Sequence, residues 1–271
     1  KEIPTILISG IFRENQVFFK SYGSWMRNKL SFFSHFFVQD NNSKELLNSI
    51  GFKNVTLSGD TRFDRVFEIV NQNNTLDFLE SFKDNKYTLV AGSTWPDDEK
   101  LLVDYINKRA SSEEKFIIAP HNINPIAIQK LQKDILGKSV LFSNYQQNEL
   151  KNAQIFIVDT IGILTKVYSY ADVAFVGGGF TNGIHNILEP ATYGIPIIIG
   201  PKHQKFNEAV EMVAENACLA VSNKSEFNNI LNNLRDDLLR AKIGDKAKNY
   251  VQTRIGATNV ILNYITNIIK S

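Results

Sequence analysis

Residues 177–201, GGGFTNGIHNILEPATYGIPIIIGP, hold a glycine triplet after the apolar run Val173–Val176, then a short polar-to-amphipathic stretch, then a second apolar run. Glycines at the end of such a run permit positive φ and close backbone approach. Asn186 stands where a helix cap belongs, Glu189 and Pro190 fall in the first turn, and Gly194 ends the helix. The stretch therefore predicts strand, turn, helix and strand in immediate succession.

The same alternation runs outward from it. From Tyr87 onward, YTLVAG, KFIIAP, SVLFSN, QIFIVD, VAFVGGG, IPIIIG and CLAV read as strands, and amphipathic segments such as DDEKLLVDYINKRA and FNEAVEMVAENA stand between most of them. Near-strict alternation with short connections means parallel βαβ units with helices on both faces, a Rossmann-like domain over 87–255. Residues 1–60 repeat the theme with PTILISG, a helix around Val17–Leu30, HFFVQD, a helix over Ser43–Ile50, and VTLSGD. Three strands make a thin sheet, so this segment is expected to be the C-terminal part of an N-terminal Rossmann-like domain. Residues 61–86 are expected to connect the two domains, and 256–271 to form a C-terminal helix that packs back on the first. The opening, Lys1-Glu2 and then IPTILISG, suggests a piece of a longer protein.

The 30 basic and 28 acidic side chains nearly cancel, so no global field points to nucleic acid. The single cysteine, Cys218, excludes a disulfide framework, suits a reducing, cytoplasmic compartment and reads as a small buried hydrophobe. No apolar run is long enough to span a bilayer. Residues 18–37, FFKSYGSWMRNKLSFFSHFF, mix aromatics with Lys20, Arg27 and Lys29, and read either as core or as a face that rests on lipid headgroups.

Ligands of parallel α/β sheets collect beyond the carboxyl ends of the strands, which puts five loops under scrutiny: GSTWPDDE, APHNIN, DTIG, GGGFTNGIHN and GPKHQKFN. Gly178 and Gly179 read as a phosphate or sugar cradle or as a plain tight turn. Glu189 is placed to take two ribose hydroxyls, or else complements the helix dipole. His121 and His185 read as donors to a ligand or as backbone-bonded histidines, and His203 as exposed. Ser93 and Thr94 read as anion donors or as a helix cap, and Asp97, Asp98 and Glu99 as dipole complementation. Asp159 has no partner at metal-ligand spacing, so neither a metal nor a cofactor is expected.

Taken together, GDTRFDR at 59–65, AGSTWPDDE at 91–99, APH at 119–121, DTIG at 159–162 and FVGGGFTNGIHNILEPATYGIPIIIGP at 175–201, with Phe206-Asn207 after it, resemble the 3-deoxy-D-manno-octulosonic acid (Kdo) transferases of lipid A assembly. The resemblance covers essentially the whole chain. It implies a GT-B glycosyltransferase that passes Kdo, with inversion and without metal, from CMP-Kdo to a lipid A precursor in lipopolysaccharide biosynthesis. It also implies peripheral contact with the inner membrane on its cytoplasmic side. By the resemblance, CMP is held by Pro120, His121, Ile161, Gly162, Ile163, Asn186, Ile187, Leu188 and Glu189. Glu189 takes the ribose hydroxyls, Asn207 adds a substrate contact, and Arg62 steadies charge in the transition state.

The sequence departs from the family at three points: Pro120-His121 replaces Pro-Arg-His, Gly162-Ile163 replaces Gly-Glu, and Gly183-Ile184-His185 replaces Gly-Gly-His. These weaken individual contacts more than the assignment. The family's general base is a glutamate near the start of its first domain, which this sequence lacks, so the resemblance implies a fragment that binds cytidine nucleotide and transfers poorly. Two other functions fit the same pattern: a UDP-sugar epimerase of this fold, and a nucleotide-binding module without turnover.

Overall fold

The computed structural model describes residues 3–270, which divide into two compact units, residues 3–68 with 252–270 and residues 69–251. The first unit holds a three-stranded parallel sheet in the order β1 (Ile6–Gly10), β2 (His35–Val38), β3 (Val55–Leu57). The predicted helix over Val17–Leu30 is broken. A 3-10 turn covers Val17–Phe19 and α1 covers Ser24–Leu30, and between them the chain turns at Gly23, where a Cβ would lie 1.7 Å from the Val17 oxygen. Helix α2 (Asn41–Ser49) starts at Asp40, whose carboxylate accepts from the Ser43 amide at 2.6 Å.

Apolar side chains from these elements make one core: Phe12, Leu30, Phe36, Val38, Leu47 and Val55 are buried, with Phe18, Phe19 and Phe33 packed against them. Edge-on ring contacts join Phe12 to Phe18, Phe19 and Phe36 at 6.1–6.3 Å. The aromatic-basic stretch is thereby split. Its phenylalanines are mostly core, whereas Tyr22, Trp25 and Phe32 stand 70%, 60% and 73% exposed, with the Lys29 ammonium 5.9 Å from the Phe32 ring centre.

The region expected to be a connection is helical. Helix α3 (Thr61–Val70) carries the chain to the unit boundary, and α4 (Asp77–Lys83) opens the second unit, each burying its apolar face through Phe63 and Val66 or Leu79 and Phe82. The C-terminal helix, Ala257–Lys270, belongs to the first unit. Asp64 accepts from the Gly256 amide at 2.6 Å and the Thr258 amide at 2.9 Å, and Tyr264 packs on His35 and Phe37.

The second unit alternates β4 (Tyr87–Thr94), α5 (Pro96–Lys108), β5 (Glu114–Pro120), α6 (Pro125–Asp134), β6 (Ser139–Leu141), α7 (Gln147–Leu150), β7 (Ile155–Ile157), α8 (Leu164–Val167), β8 (Val173–Val176), α9 (Leu188–Thr192), β9 (Ile197–Ile199), α10 (Asn207–Ala214) and β10 (Leu219–Ala220). Two helices follow β10, α11 (Lys224–Asn233) and α12 (Asp237–Gln252). The sheet runs β10-β9-β8-β4-β5-β7-β6, every pair parallel. Strands β5, β7, β8 and β9 are buried nearly throughout, as parallel strands covered on both faces must be.

From β4 the chain first builds one side of the sheet, through β5 to β7, and then returns to build the other through β8. The loops that follow β4, β5 and β8 therefore meet at the point where winding reverses, the place where such sheets take ligands. Strand β4 leaves the sheet through Ser93 at φ 53°, with a register shift between Gly92 and Thr94. A non-glycine there costs on the order of 1 kcal/mol, strain typical of functional loops.

Candidate nucleotide site at the strand ends

Trp95 and Asp98, in the loop and first turn after β4, organise the switch point. The Asp98 side chain is fully buried, and its Oδ2 accepts from the Trp95 amide at 2.9 Å and from the Gly178 amide at 2.7 Å. One carboxylate thus joins the loop after β4 to the glycine turn after β8. Burial raises its pKa above the ordinary carboxylate value, against the lowering effect of the amides, while Oδ1 has no hydrogen-bond partner. Asp98 thus complements the start of α5 as expected, through the Trp95 amide, and in addition clamps the glycine turn through the Gly178 amide. Asp97, beside it, stays exposed and pairs with Lys100 at 2.8 Å.

The glycine turn is packed and not open. Gly177 donates to the Gly92 carbonyl at 2.9 Å, Gly178 to Asp98, and Gly183 to the Gly178 carbonyl at 3.1 Å. Gly178 has φ 93°, and a Cβ on it would lie 2.3 Å from the Gly183 oxygen, whereas one on Gly179 would meet the Gly200 backbone at 2.6 Å. Gly178 and Gly179 are both buried. Their role is to let two loops touch, which is the tight-turn alternative of the sequence reading and not the open cradle. Thr94 is also turned inward: it is buried, and its hydroxyl donates to Glu99 at 3.1 Å.

Glu189 is partly exposed and already oriented. Its Oε2 accepts from the Thr165 hydroxyl at 2.9 Å and its Oε1 from the Asn186 amide group at 3.1 Å, while Asn186 Oδ1 accepts from the Leu188 amide at 3.1 Å. Asn186 thus serves the helix end as expected, from two positions before the amide it caps. Ile187 and Leu188 are buried and can present only backbone to a ligand. Behind Glu189, burial raises the Tyr193 hydroxyl to about 12, with the Glu189 charge adding to the effect, and that hydroxyl has no hydrogen-bond partner. Tyr168, fully buried, is raised for the same reasons.

Three rings close the site from the side. The His121 ring stacks on the Trp95 indole at 4.6 Å and 18° and lies 4.5 Å from the His185 ring, which accepts the indole N–H at 3.0 Å. Pro120 is partly exposed at the end of β5. Ile161 is 88% exposed, Gly162 has φ 92° with open space around it, and the partly exposed Ile163 precedes α8, whose Thr165 reaches the Glu189 carboxylate. An open groove of about 490 Å³ lies along α6 and β6, lined by Ile123, Ile126, Leu141, Ser143 and Asp159 among others. Asn207 is exposed at the start of α10. His203 is only partly exposed and donates from Nδ1 to the Gly200 carbonyl at 3.3 Å.

Arg62 lies in the first unit, where its amide and its Nε–H both donate to the buried Asp60 carboxylate, at 2.9 and 2.7 Å. Among the described residues no three His, Cys, Asp or Glu side chains gather where they could hold a metal ion, and no helix is long and apolar enough to cross a membrane.

Sequence reasoning passed over Trp95 and saw only the local half of the role of Asp98. The contacts of Trp95 with His185 and of Asp98 with Gly178 reach the distant loop that follows β8, and no local pattern marks them.

A family model described as 3-Deoxy-D-manno-octulosonic-acid transferase (kdotransferase) matches residues 1–65. The 3-deoxy-D-manno-octulosonic acid transferase of Rickettsia bellii is 29% identical over 228 residues, 80% of this chain and 54% of that protein. The chain spans about half the length of the curated relatives it matches. Among solved structures, the C-terminal CMP-Kdo binding domain of WaaA from Acinetobacter baumannii aligns with a TM-score of 0.57 at 22% identity, over 70% of this chain and 99% of that one. A putative UDP-N-acetylglucosamine 2-epimerase from Listeria monocytogenes aligns with a TM-score of 0.59 at 14% identity, over 98% of this chain and 67% of that one. At such identities the likenesses establish the fold alone, which is of the GT-B type.

Proposed function

We propose that the chain, which is 29% identical to a Kdo transferase over 80% of its length, is part of a glycosyltransferase that moves Kdo from CMP-Kdo to a lipid A precursor. The observation that carries the donor assignment is Glu189. Thr165 and Asn186 orient its partly exposed carboxylate, and Thr165 follows the exposed Ile161 and Gly162 in the chain, an arrangement suited to a group that takes two ribose hydroxyls. Around it, Pro120, His121 and His185 supply ring surface and N–H donors, and the partly exposed Ser93 offers a hydroxyl at the end of β4. Asn207 is an outer contact. Arg62, held by Asp60, is the cation for the transfer step: a guanidinium fixed in place offsets developing negative charge without reorganising.

The test is a thermal-shift series with CMP, UMP and UDP on the wild type and on Glu189→Ala. CMP at a hundredfold excess over Kd is expected to add about 2.7 kcal/mol of stability to the wild type. The mutant is expected to bind about 10- to 100-fold more weakly, since two charge-assisted hydrogen bonds are lost. Protection by UDP and not by CMP would instead favour the epimerase reading.

The acceptor is a lipid, and Tyr22, Trp25 and Phe32 with Lys20, Arg27 and Lys29 form an aromatic-basic surface suited to the headgroup region on the cytoplasmic side of the inner membrane. Trp25→Ala with Phe32→Ala is expected to lower binding to vesicles containing anionic lipid several-fold. Binding that is unchanged in sedimentation would remove this face from the proposal.

A further inference from the structure

Trp95 lies 90 residues from His185 in the chain, yet its indole Nε1–H points at His185 Nε2 from 3.0 Å. An indole N–H donates and has no lone pair with which to accept. His185 Nε2 must therefore be the acceptor, and the proton of the neutral imidazole is on Nδ1. The ring is held from other sides too. The His185 amide donates to the Gly177 carbonyl at 3.1 Å, a Cβ on Gly178 would come within 3.2 Å of the ring's Cδ2, and His121 closes the remaining side at 4.5 Å. Among the described residues Nδ1 has no hydrogen-bond partner.

We propose that Trp95 is a positioning residue: its indole locks His185 in the Nδ1–H tautomer, so that this ring offers the bound nucleotide a single donor directed at a phosphate or sugar oxygen. The identity of the ligand rests on the function proposed above, whereas the tautomer does not. A second proton would have to go to Nε2 and would meet the indole N–H head-on. Burial, and then the neighbouring His121, lower the His185 pKa in the same sense. The titratable groups around the ring are His121 and, behind the glycine turn, Asp98, whose carboxylate is engaged by the amides of Trp95 and Gly178.

Trp95→Phe keeps an aromatic ring in the stack and deletes only the donor, so a packing role alone predicts no change. The measurement is a long-range ¹H–¹⁵N correlation spectrum of the ligand-free chain, whose four histidines can be assigned by single substitution. The wild type is expected to show His185 protonated at Nδ1 and bare at Nε2. Trp95→Phe is expected to show mixed tautomers and a titration midpoint moved upward. CMP affinity at pH 7.5 is expected to fall about 3- to 10-fold in the variant, because only part of the population carries the competent tautomer. That deficit should close as the pH is lowered, since protonation restores the Nδ1–H in the variant.

A wild-type ring protonated at Nε2, or an unchanged tautomer in Trp95→Phe, would overturn the proposal. If CMP binds neither form, the functional reading fails and the spectra alone decide the role of Trp95.

Discussion

Asp98→Ala is expected to cost about 2–6 kcal/mol of folding free energy, because two buried amide donors lose their acceptor at about 1–3 kcal/mol each. The deletion leaves the Trp95 and Gly178 amides facing each other with no acceptor between them, at a site with no exposure to water. For a unit the size of residues 69–251, Tm should fall by roughly 10 °C, and urea unfolding should show the loss directly. A loss below about 1 kcal/mol would mean that the clamp contributes little.

Asp98→Asn separates charge from shape. In the wild type the folded-state pKa of Asp98 is raised by burial above its unfolded value, so between the two the folded chain binds more protons than the unfolded one. The stability from this group is complete below the unfolded carboxylate pKa and is lost as pH rises through the folded value. Unfolding curves across the acid range should therefore show the wild type losing ground to Asp98→Asn as pH increases, then running parallel to it. A difference that does not change with pH would show that the carboxyl titrates alike in both states.

Gly177→Ala is the second large effect. A Cβ at this position would lie 2.4 Å from the Ser93 carbonyl oxygen, 2.7 Å from Thr94 Cα and 2.9 Å from Asp98 Oδ2. The first two are backbone atoms in the strained exit of β4, so relief requires parting β4 from β8 where Gly177 donates to Gly92. Overpacking of this kind costs about 3 kcal/mol. Because the same movement displaces Trp95 and His185, CMP protection should disappear with the stability. Gly162→Ala is the control: nothing lies within 4 Å of its Cβ position, and only the strain of φ 92°, about 1–2 kcal/mol, is added. Equal losses in the two variants, measured by urea titration, would refute the packing argument.

Much of the candidate site was legible because its residues announce themselves locally. Glu189 follows a cap residue at a helix start, and His121 ends a strand-turn sequence, patterns set by neighbours within four positions in the chain. Gly178 was legible as a glycine but not in its role. Its positive φ follows from its type, whereas its amide belongs to a carboxylate 80 residues earlier. The break at Gly23 had a local mark in the glycine itself, a poor helix former, whereas its close approach to a carbonyl six positions back is set by the fold. Tyr22, Trp25 and Phe32 could not be told from Phe33 and Phe36 by periodicity, because every one of them is apolar and only packing sorts them.

What the sequence determined alone was the alternation of apolar runs and amphipathic helices, and with it a parallel α/β architecture whose ligand site lies beyond the strand ends. Backbone preference and hydrophobic periodicity act over a few residues, so they can be read along the chain. The tertiary structure decided that β4 is central, that the loops after β4, β5 and β8 share one point, and that Asp98, Trp95, His121 and His185 meet there. Strand order and side-chain contacts between distant loops are set by packing the whole core at once, and no window of the sequence contains them.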